Sequence, residues 1–147
     1  MGQNTAQFDR RRFLAYSAGA GVFTIVPRHV LGGAGHVAPS ETIYVAGIGV
    51  GGVGSGQIQS IAKQRGTRVV ALCDVDDVYA DRTFKAFSEA RRYRDFREML
   101  EVEDDKIDAV YCGTPDHTHA VIVLPALKRG KHVCCVKPLT RTIHEER

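Results

Sequence analysis

Short apolar segments alternate with helical ones along most of this chain, and no other feature limits its fold as strongly. The apolar segments are 43–48, 69–73, 92–93, 107–112 and 132–136, and helical patterns occur at 55–64, 78–90, 95–100, 120–128 and from 142. Strands that alternate with helices form a parallel sheet with helices on both faces, which explains the continuously apolar strands. The sequence therefore predicts an α/β fold with a doubly wound parallel sheet of about five strands. The expected strand order is 3-2-1-4-5.

The net charge of the chain is concentrated at its N-terminus. The 147 residues carry a net charge of +3, and residues 1–40 account for all of it, with four arginines against Asp9. Beyond residue 40, basic and acidic residues are equal in number. A domain without excess positive charge lacks the electrostatic surface that nucleic-acid backbones require. We therefore expect no nucleic-acid partner.

The first forty residues resemble an export signal. Arg10 and Arg11 precede Arg12, Phe13 and Leu14, and a Gly- and Ala-rich apolar stretch follows. Paired arginines before such a stretch are typical of twin-arginine signals in exported bacterial proteins, with an ordinary basic tail or a short membrane anchor as the alternatives. The stretch is shorter than the ~20 residues of a membrane-spanning helix, so no stable membrane span is expected. We predict a disordered or helical signal and linker at 1–40, a folded domain at 41–147, and export to the periplasm.

A glycine motif with the spacing G-x-G-x-x-G directly follows the first predicted strand and opens a helix. In this position Gly49 permits the tight turn, Gly51 lets the backbone approach a pyrophosphate, and Gly54 lets the helix pack against the strand. Gly52 lies in the same loop. The N–H groups at the helix N-terminus would bind the phosphates. The motif predicts a Rossmann dinucleotide-binding site.

An aspartate ends the second predicted strand, twenty residues after the last glycine of the motif. Asp74 is therefore predicted to accept hydrogen bonds from the adenine ribose. A carboxylate there would repel a 2′-phosphate, which favours NAD over NADP, although Arg82 could soften this preference. Asp76 and Asp77 follow closely, so a simple turn is the alternative. S-adenosylmethionine methyltransferases also combine a glycine loop with an acidic strand end, and these two features alone do not separate the two classes.

Two later loops are expected to meet the glycine loop. Segment 113–119 follows the fourth strand and segment 136–140 follows the fifth. In a sheet of order 3-2-1-4-5, the carboxyl ends of strands one, four and five are neighbours, and ligands bind outside them. We expect both loops to lie at the nicotinamide end of the site and Asp74 at the adenosine end.

Four segments, 45–54, 71–76, 113–120 and 130–140, resemble the Gfo/Idh/MocA family of oxidoreductases, and the resemblance extends over 42–147. It implies that Thr114, Pro115 and His119 line the NAD(P) site and that Lys137 is the active-site lysine. We also expect His119 to be a second catalytic residue. The glutamate that the family has before this lysine is Val136 here, which removes a carboxylate that could position the lysine. Because Lys137 precedes a proline, its backbone is still expected to be extended.

Other interpretations of these residues remain open. Lys137 could be a solvated charge, and His117 and His119 could cap the following helix. A metal site formed by Asp116, His117 and His119 is disfavoured, because adjacent loop residues rarely supply a complete ligand set, and no metal is expected. The four cysteines are expected to be buried free thiols.

The resemblance implies hydride transfer between a sugar or polyol and the nicotinamide. In the family, a second domain after this region supplies much of the substrate site, so the chain is expected to be C-terminally truncated and to turn over little alone. The alternatives are a non-catalytic dinucleotide-binding remnant or interaction module and, less favoured, a methyltransferase. A homo-oligomer remains open.

Overall fold

The computed structural model describes residues 37–147. The predicted signal, including its arginine cluster, lies outside these residues except for its last four positions. Within the described range, no helix is both long enough and apolar enough to cross a membrane.

Strands and helices alternate from Ile43 onward. The strands are β1 (Ile43–Ile48), β2 (Thr67–Cys73), β3 (Arg91–Tyr93), β4 (Ala109–Cys112) and β5 (His132–Cys135). The helices are α1 (Gly52–Ala62), α2 (Asp81–Ala86), α3 (Phe96–Val102), α4 (His119–Lys128) and α5 (Ile143–Glu146). Short 3-10 helices lie at Pro39–Glu41, Asp104–Lys106 and Asp116–Thr118.

The strands form one parallel sheet in the order β3-β2-β1-β4-β5, which confirms the predicted α/β fold and strand order. The hydrogen bonding continues past the strand ends: Gly49 N donates to Cys73 O (2.9 Å), Gly113 N to Ile48 O (2.8 Å), and Val136 N to Cys112 O (3.0 Å). The loops after β1, β4 and β5 therefore leave the sheet at one edge, on either side of the point where the strand order reverses.

The core lies in two layers, one on each face of the sheet. One layer packs Met99 and Leu100 of α3 and Ile122 of α4 against residues that include Ala46 and Cys112. The other packs helices α1 and α2 against the opposite face through Ile58, Phe84, Val45, Leu72 and Tyr111. Helices on both faces explain why the strands lack polar alternation.

Two helices differ from their predicted bounds. The helix expected at 55–64 begins at Gly52, because the glycine motif itself forms the first turn. The helix expected at 78–90 is observed only over Asp81–Ala86, because Asp76 Oδ1 accepts hydrogen bonds from the N–H groups of Val78 (3.0 Å) and Tyr79 (2.9 Å) and holds them in a turn. Tyr79, included in the predicted helix, is exposed outside it.

The expectation of four buried thiols holds only for two cysteines. Cys73 and Cys112 are buried, whereas Cys134 is exposed and Cys135 is half-buried. The difference arises because β5 is an edge strand, and its alternate side chains face solvent.

A buried carboxylate stabilises the sheet edge opposite the glycine loop. Glu103 is 2% exposed, and its oxygens accept hydrogen bonds from Tyr93 Oη (2.5 Å), Arg91 Nη1 (2.8 Å) and Lys106 Nζ (3.1 Å). Burial by itself raises the pKa of Glu103, but the hydrogen bonds from Tyr93, Lys106 and Arg91 outweigh burial and hold the pKa below its ordinary value. The charged form is therefore the one the fold stabilises.

Substitution of Glu103 is expected to lower stability in a pH-dependent manner. Glu103→Gln should reduce the free energy of unfolding by about 1–3 kcal/mol at pH 7, because it weakens charge-assisted hydrogen bonds. A carboxyl whose pKa is lowered by folding stabilises above its unfolded pKa of about 4.3 and loses this contribution as the pH falls through the folded pKa. Urea unfolding at pH 7 and below pH 4 measures both effects.

Glu101→Gln is the matched control, since Glu101 is an exposed glutamate in the last turn of α3, two residues before Glu103. Two results would contradict this role. One is a difference in unfolding free energy between Glu103→Gln and wild type that is as large below pH 4 as at pH 7. The other is a loss of unfolding free energy in Glu103→Gln no larger than that in Glu101→Gln.

Candidate functional site

The glycine motif forms the turn from β1 into α1. Gly49 has a φ of 72° and Gly52 a φ of 46°, both in the left-handed region that favours glycine. Gly51 is the N-cap of α1 and has no side chain with which to cap it. The first N–H groups of the helix have no intrahelical acceptor and carry partial positive charge. This end of α1 is suited to bind a phosphate.

Close packing fixes the loop against its neighbours. A Cβ on Gly54 would collide with the carbonyl oxygen of Gly49, and a Cβ on Gly49 would lie 2.7 Å from the backbone nitrogen of Thr114. The first contact brings α1 against the end of β1, as the sequence predicts for Gly54. The second brings the glycine loop against the loop after β4.

Asp74 follows β2 directly, and its carboxylate reaches the glycine loop. Oδ2 accepts hydrogen bonds from Val50 N (2.8 Å) and Gly51 N (3.0 Å), and Oδ1 accepts one from Asp76 N (3.1 Å). The side chain thus orders the loop, a role that the sequence did not predict. A carboxylate oxygen has about two lone pairs, so Oδ1 retains capacity for a ribose hydroxyl. The predicted ribose contact is compatible with this geometry and stays a prediction.

A cleft of about 480 Å³ adjoins Asp74, and its lining includes Tyr79 and Arg94, which the sequence did not identify as site residues. Arg94 forms an ion pair with Asp77 and donates a hydrogen bond to Val75 O (2.7 Å). Arg82, the arginine considered from the sequence, does not line this cleft. Arg94 follows β3 directly, so its position at the carboxyl edge of the sheet, where ligands bind, could have been predicted from the sequence.

A second cleft, of about 920 Å³, extends from the glycine loop to the loop after β5. Gly51 and Lys137 both line it, and His119 contributes to its wall. Thr114 and Pro115 border both clefts. The structure therefore brings the predicted residues Gly51, Thr114, Pro115 and Lys137 together at one edge of the sheet. Because Gly51, Thr114 and Pro115 line both clefts, the two adjoin at the end of α1, and together they are called the crevice.

Lys137 is exposed and follows β5 at the far end of this crevice. Its peptide bond to Pro138 is cis. Val136, at the position where the family resemblance implies glutamate, is half-buried against the core layer that contains Tyr111. Lys137 is therefore placed by its backbone, with an apolar neighbour in place of a carboxylate.

His119 begins α4 and is only 1% exposed. Its Nδ1 lies 2.7 Å from Pro138 O and its Nε2 lies 2.8 Å from Thr114 O. The imidazole thus joins the loop after β4 to the loop after β5. In this position both ring nitrogens face backbone carbonyl groups, which is the geometry of a brace between loops. The predicted catalytic contact of His119 would require one of these hydrogen bonds to be exchanged.

Two cysteines lie beside His119. Cys112 and Cys135 are partners in the β4–β5 ladder, and the ligand atoms of Cys112, His119 and Cys135 lie within 4.8 Å of one another. Burial, followed by the proximity of Cys112, raises the pKa of Cys135 to about 12. Because both nitrogens of His119 face carbonyl oxygens, the group is arranged as packed core. Among the described residues, Asp116, His117 and His119 do not form a cluster of ligands.

The site as a whole fits a dinucleotide. A carboxylate that can accept a ribose hydroxyl lies at one end, the N-terminus of α1 lies in the middle, and Lys137 lies at the other end. Gly51 and Gly52 place no side chain of their own between the backbone and a diphosphate. This order of groups matches the adenosine, diphosphate and nicotinamide portions of NAD.

Comparisons with known proteins agree with this interpretation. Residues 43–147 match the Gfo/Idh/MocA model, described as an oxidoreductase family with an NAD-binding Rossmann fold. A glycosyl hydrolase family 109 protein of Solibacter usitatus is 30% identical over 73% of this chain and 26% of its own length. An inositol 2-dehydrogenase of an Arthrobacter species is 37% identical over 69% of this chain and 30% of its own length.

A solved structure shows the same similarity. The myo-inositol dehydrogenase of Lactobacillus casei, in complex with NAD(H) and myo-inositol, superimposes with a TM-score of 0.64 and 31% sequence identity. The similar region covers 71% of this chain and 31% of that one. The chain thus spans less than a third of the length of these three proteins.

Two glycines of α1 give a matched test of the loop packing. Gly54→Ala should destabilise the domain by about 1–3 kcal/mol, because the added methyl group collides with Gly49 O. Gly56→Ala, on the same helix with nothing within 4 Å of the added carbon, should stabilise it by about 0.4–1 kcal/mol. Thermal unfolding measures both changes. Equal melting temperatures for the two variants would contradict the packing described.

Proposed function

The chain belongs to the Gfo/Idh/MocA oxidoreductase family, and from this premise we propose that it binds NAD in the crevice between Asp74 and Lys137. In that role it supplies the cofactor-binding part of a hydride transfer between a nicotinamide and a sugar or polyol. NADP is the alternative to NAD and is less favoured, because the carboxylate of Asp74 would repel its 2′-phosphate.

One observation carries this proposal: Gly51 and Lys137 line the same cleft. The glycine loop is the position for a diphosphate, and a nicotinamide linked to that diphosphate extends toward the loops after β4 and β5. Lys137 is therefore close to where the reacting carbon of the nicotinamide would lie. Thr114 and Pro115, which border both halves of the crevice, would contact the cofactor between its ends.

The residues of the chain have separable roles in this proposal. When bound, the nicotinamide accepts or donates the hydride. Lys137 holds the substrate hydroxyl and exchanges its proton, a role that requires hydrogen-bond reach to that oxygen. His119 positions the loop that carries Lys137 through its contact with Pro138 O. Val136 supplies no carboxylate, so the side chain of Lys137 has no ion-pair partner on the adjacent residue.

The names of the relatives support a polyhydroxylated ring as substrate. They include inositol 2-dehydrogenases and an α-N-acetylgalactosaminidase of Shewanella oneidensis. Because of the latter and of the glycosyl hydrolase family 109 proteins, glycoside hydrolysis is a second candidate. Release of nitrophenol from a nitrophenyl N-acetylgalactosaminide would favour hydrolysis, whereas formation of NADH from inositol would favour oxidation.

Two other interpretations are distinguished by ligand binding. A methyltransferase would bind S-adenosylmethionine in preference to NAD, and the family match argues against it. A non-catalytic remnant that serves as an interaction module would bind either NAD without turnover or no nucleotide at all, and a homo-oligomer in solution would then support an interaction role.

Asp74 provides the test of cofactor binding. Asp74→Asn keeps an acceptor for the glycine loop but removes the charge, and we expect it to weaken NAD binding about 10-fold, as loss of a charged hydrogen bond predicts. Binding of NADP should be unchanged or tighter, because repulsion of the 2′-phosphate is relieved. Isothermal titration calorimetry with both cofactors gives the ratio of the two Kd values.

Asp81→Asn is the control, since it removes the same charge from a surface ion pair with Lys85 outside the crevice. If the ratio of the Kd values for NAD and NADP is the same in Asp74→Asn as in wild type, the carboxylate does not contact the ribose. Absence of NAD binding by the wild-type chain would refute the cofactor proposal itself.

We also propose that residues 1–40 direct export through the twin-arginine route, with a periplasmic destination. The proposal is supported by the order of Arg10 and Arg11 before Phe13 and Leu14 and by the apolar stretch that follows. A protein that binds a cytoplasmic dinucleotide has a physical reason to be exported in the folded state with that cofactor bound.

Conservative substitution of the paired arginines tests the route. In bacterial cells, Arg10→Lys combined with Arg11→Lys should leave the chain in the cytoplasmic fraction, because lysine keeps the charge but not the planar guanidinium group. Arg12→Lys, which changes the adjacent residue only, should still be exported. Immunoblots of periplasmic and cytoplasmic fractions measure this, and export of the double variant would contradict the proposal.

A further inference from the structure

The aromatic ring of Tyr79 lies directly on the glycine loop. A Cβ on Gly51 would lie 2.6 Å from Cε1 of Tyr79, and a Cβ on Gly52 would lie 2.8 Å from its Cζ. A bound diphosphate must come close to the backbone of these two glycines. The space left free by their missing side chains is therefore filled by the ring of Tyr79.

The position of Tyr79 also divides the crevice. Tyr79 lines both the cleft beside Asp74 and the cleft that contains Lys137. A dinucleotide that occupies both clefts has to pass over Gly51 and Gly52, where the ring lies. The ring and a bound diphosphate thus compete for the same surface.

The backbone of Tyr79 is held in place, so the side chain alone is free to clear this surface. Tyr79 N donates to Asp76 Oδ1 (2.9 Å), and Ala80 N donates to Asp76 O (3.0 Å). Asp76 N in turn donates to Asp74, the residue that also binds the glycine loop. Tyr79 is 65% exposed, so its side chain can rotate into solvent without displacing packed neighbours.

We propose that Tyr79 gates the dinucleotide site: its ring covers the phosphate-binding backbone of Gly51 and Gly52, and the cofactor binds only when the ring has rotated away. The inference rests on the proposed binding of NAD to this crevice. It makes Tyr79 a determinant of cofactor affinity that acts before binding rather than through a contact with the bound cofactor.

The gate has a specific kinetic consequence. When only a fraction of molecules is competent to bind, the apparent Kd equals the intrinsic Kd divided by that fraction. Removal of the ring raises this fraction, so it increases the association rate constant and leaves the dissociation rate constant unchanged. A residue that contacts the bound cofactor would show the opposite pattern, because its loss accelerates dissociation.

The test compares Tyr79→Ala with Val78→Ala in the 147-residue chain. Val78 is the adjacent side chain, 87% exposed and outside both clefts, so its substitution changes the same turn without opening the site. NADH binding is followed by stopped-flow fluorescence, and the chain contains no tryptophan whose emission would interfere. Calorimetry with NAD and with ADP-ribose gives the equilibrium constants.

We expect Tyr79→Ala to bind NAD and ADP-ribose about 3- to 10-fold more tightly than wild type through faster association, with Val78→Ala equal to wild type. Unchanged or weaker binding by Tyr79→Ala, or an affinity change that arises from the dissociation rate, would overturn the gate while leaving NAD binding established. Absence of binding by both the wild type and Tyr79→Ala would overturn the proposed function together with the gate. Melting temperatures of the variants verify that each one is folded.

Discussion

The hydrogen bonds that Asp74 accepts from the glycine loop are the interaction on which the site depends. They join the end of β2 to the turn after β1 and fix the N–H groups of Val50 and Gly51. The same carboxylate holds the Asp76 turn, which carries Tyr79. Asp74, at the end of β2, therefore sets both the shape of the glycine loop and the position of the Tyr79 ring that covers it. A ligand hydroxyl at Asp74 would bind to a group that is already ordered, which lowers the entropic cost of binding.

The other end of the crevice is built differently, because an imidazole between two backbone carbonyl groups connects its loops. His119 lies between Thr114 O and Pro138 O, and Gly49 packs against the backbone of Thr114. The loops after β1, β4 and β5 are thus connected in series across the point where the strand order reverses. Each ring nitrogen faces one of the two carbonyl oxygens, so the ring holds the loops after β4 and β5 at a fixed spacing.

The sequence predicted the features that local chemistry determines. The bounds of β1, the strand order and the roles of Gly49 and Gly54 follow from strand length, connection type and the conformational freedom of glycine. The burial of His119 and the position of Tyr79 depend on contacts between residues far apart in the chain, which periodicity does not encode. The start of the helix predicted over 78–90 was misjudged for a local reason: Asp76 stabilises a turn there, and side-chain hydrogen bonds to the backbone compete with helix formation. Arg94 could have been found from its position directly after β3.

The valine at position 136 changes how the lysine beside it is held. An ion pair with a neighbouring carboxylate would orient Lys137 through its side chain, but Val136 packs into the core and offers only apolar contact. The constraints that remain act on the backbone: Val136 N donates to Cys112 O, and Pro138 O faces His119. These contacts fix where the lysine leaves the sheet and leave its long side chain free to reach a ligand in the cleft. In this chain, the placement of Lys137 therefore depends on the β4–β5 ladder and on His119. A substitution that disrupts either one would displace the lysine even though Lys137 itself is unchanged.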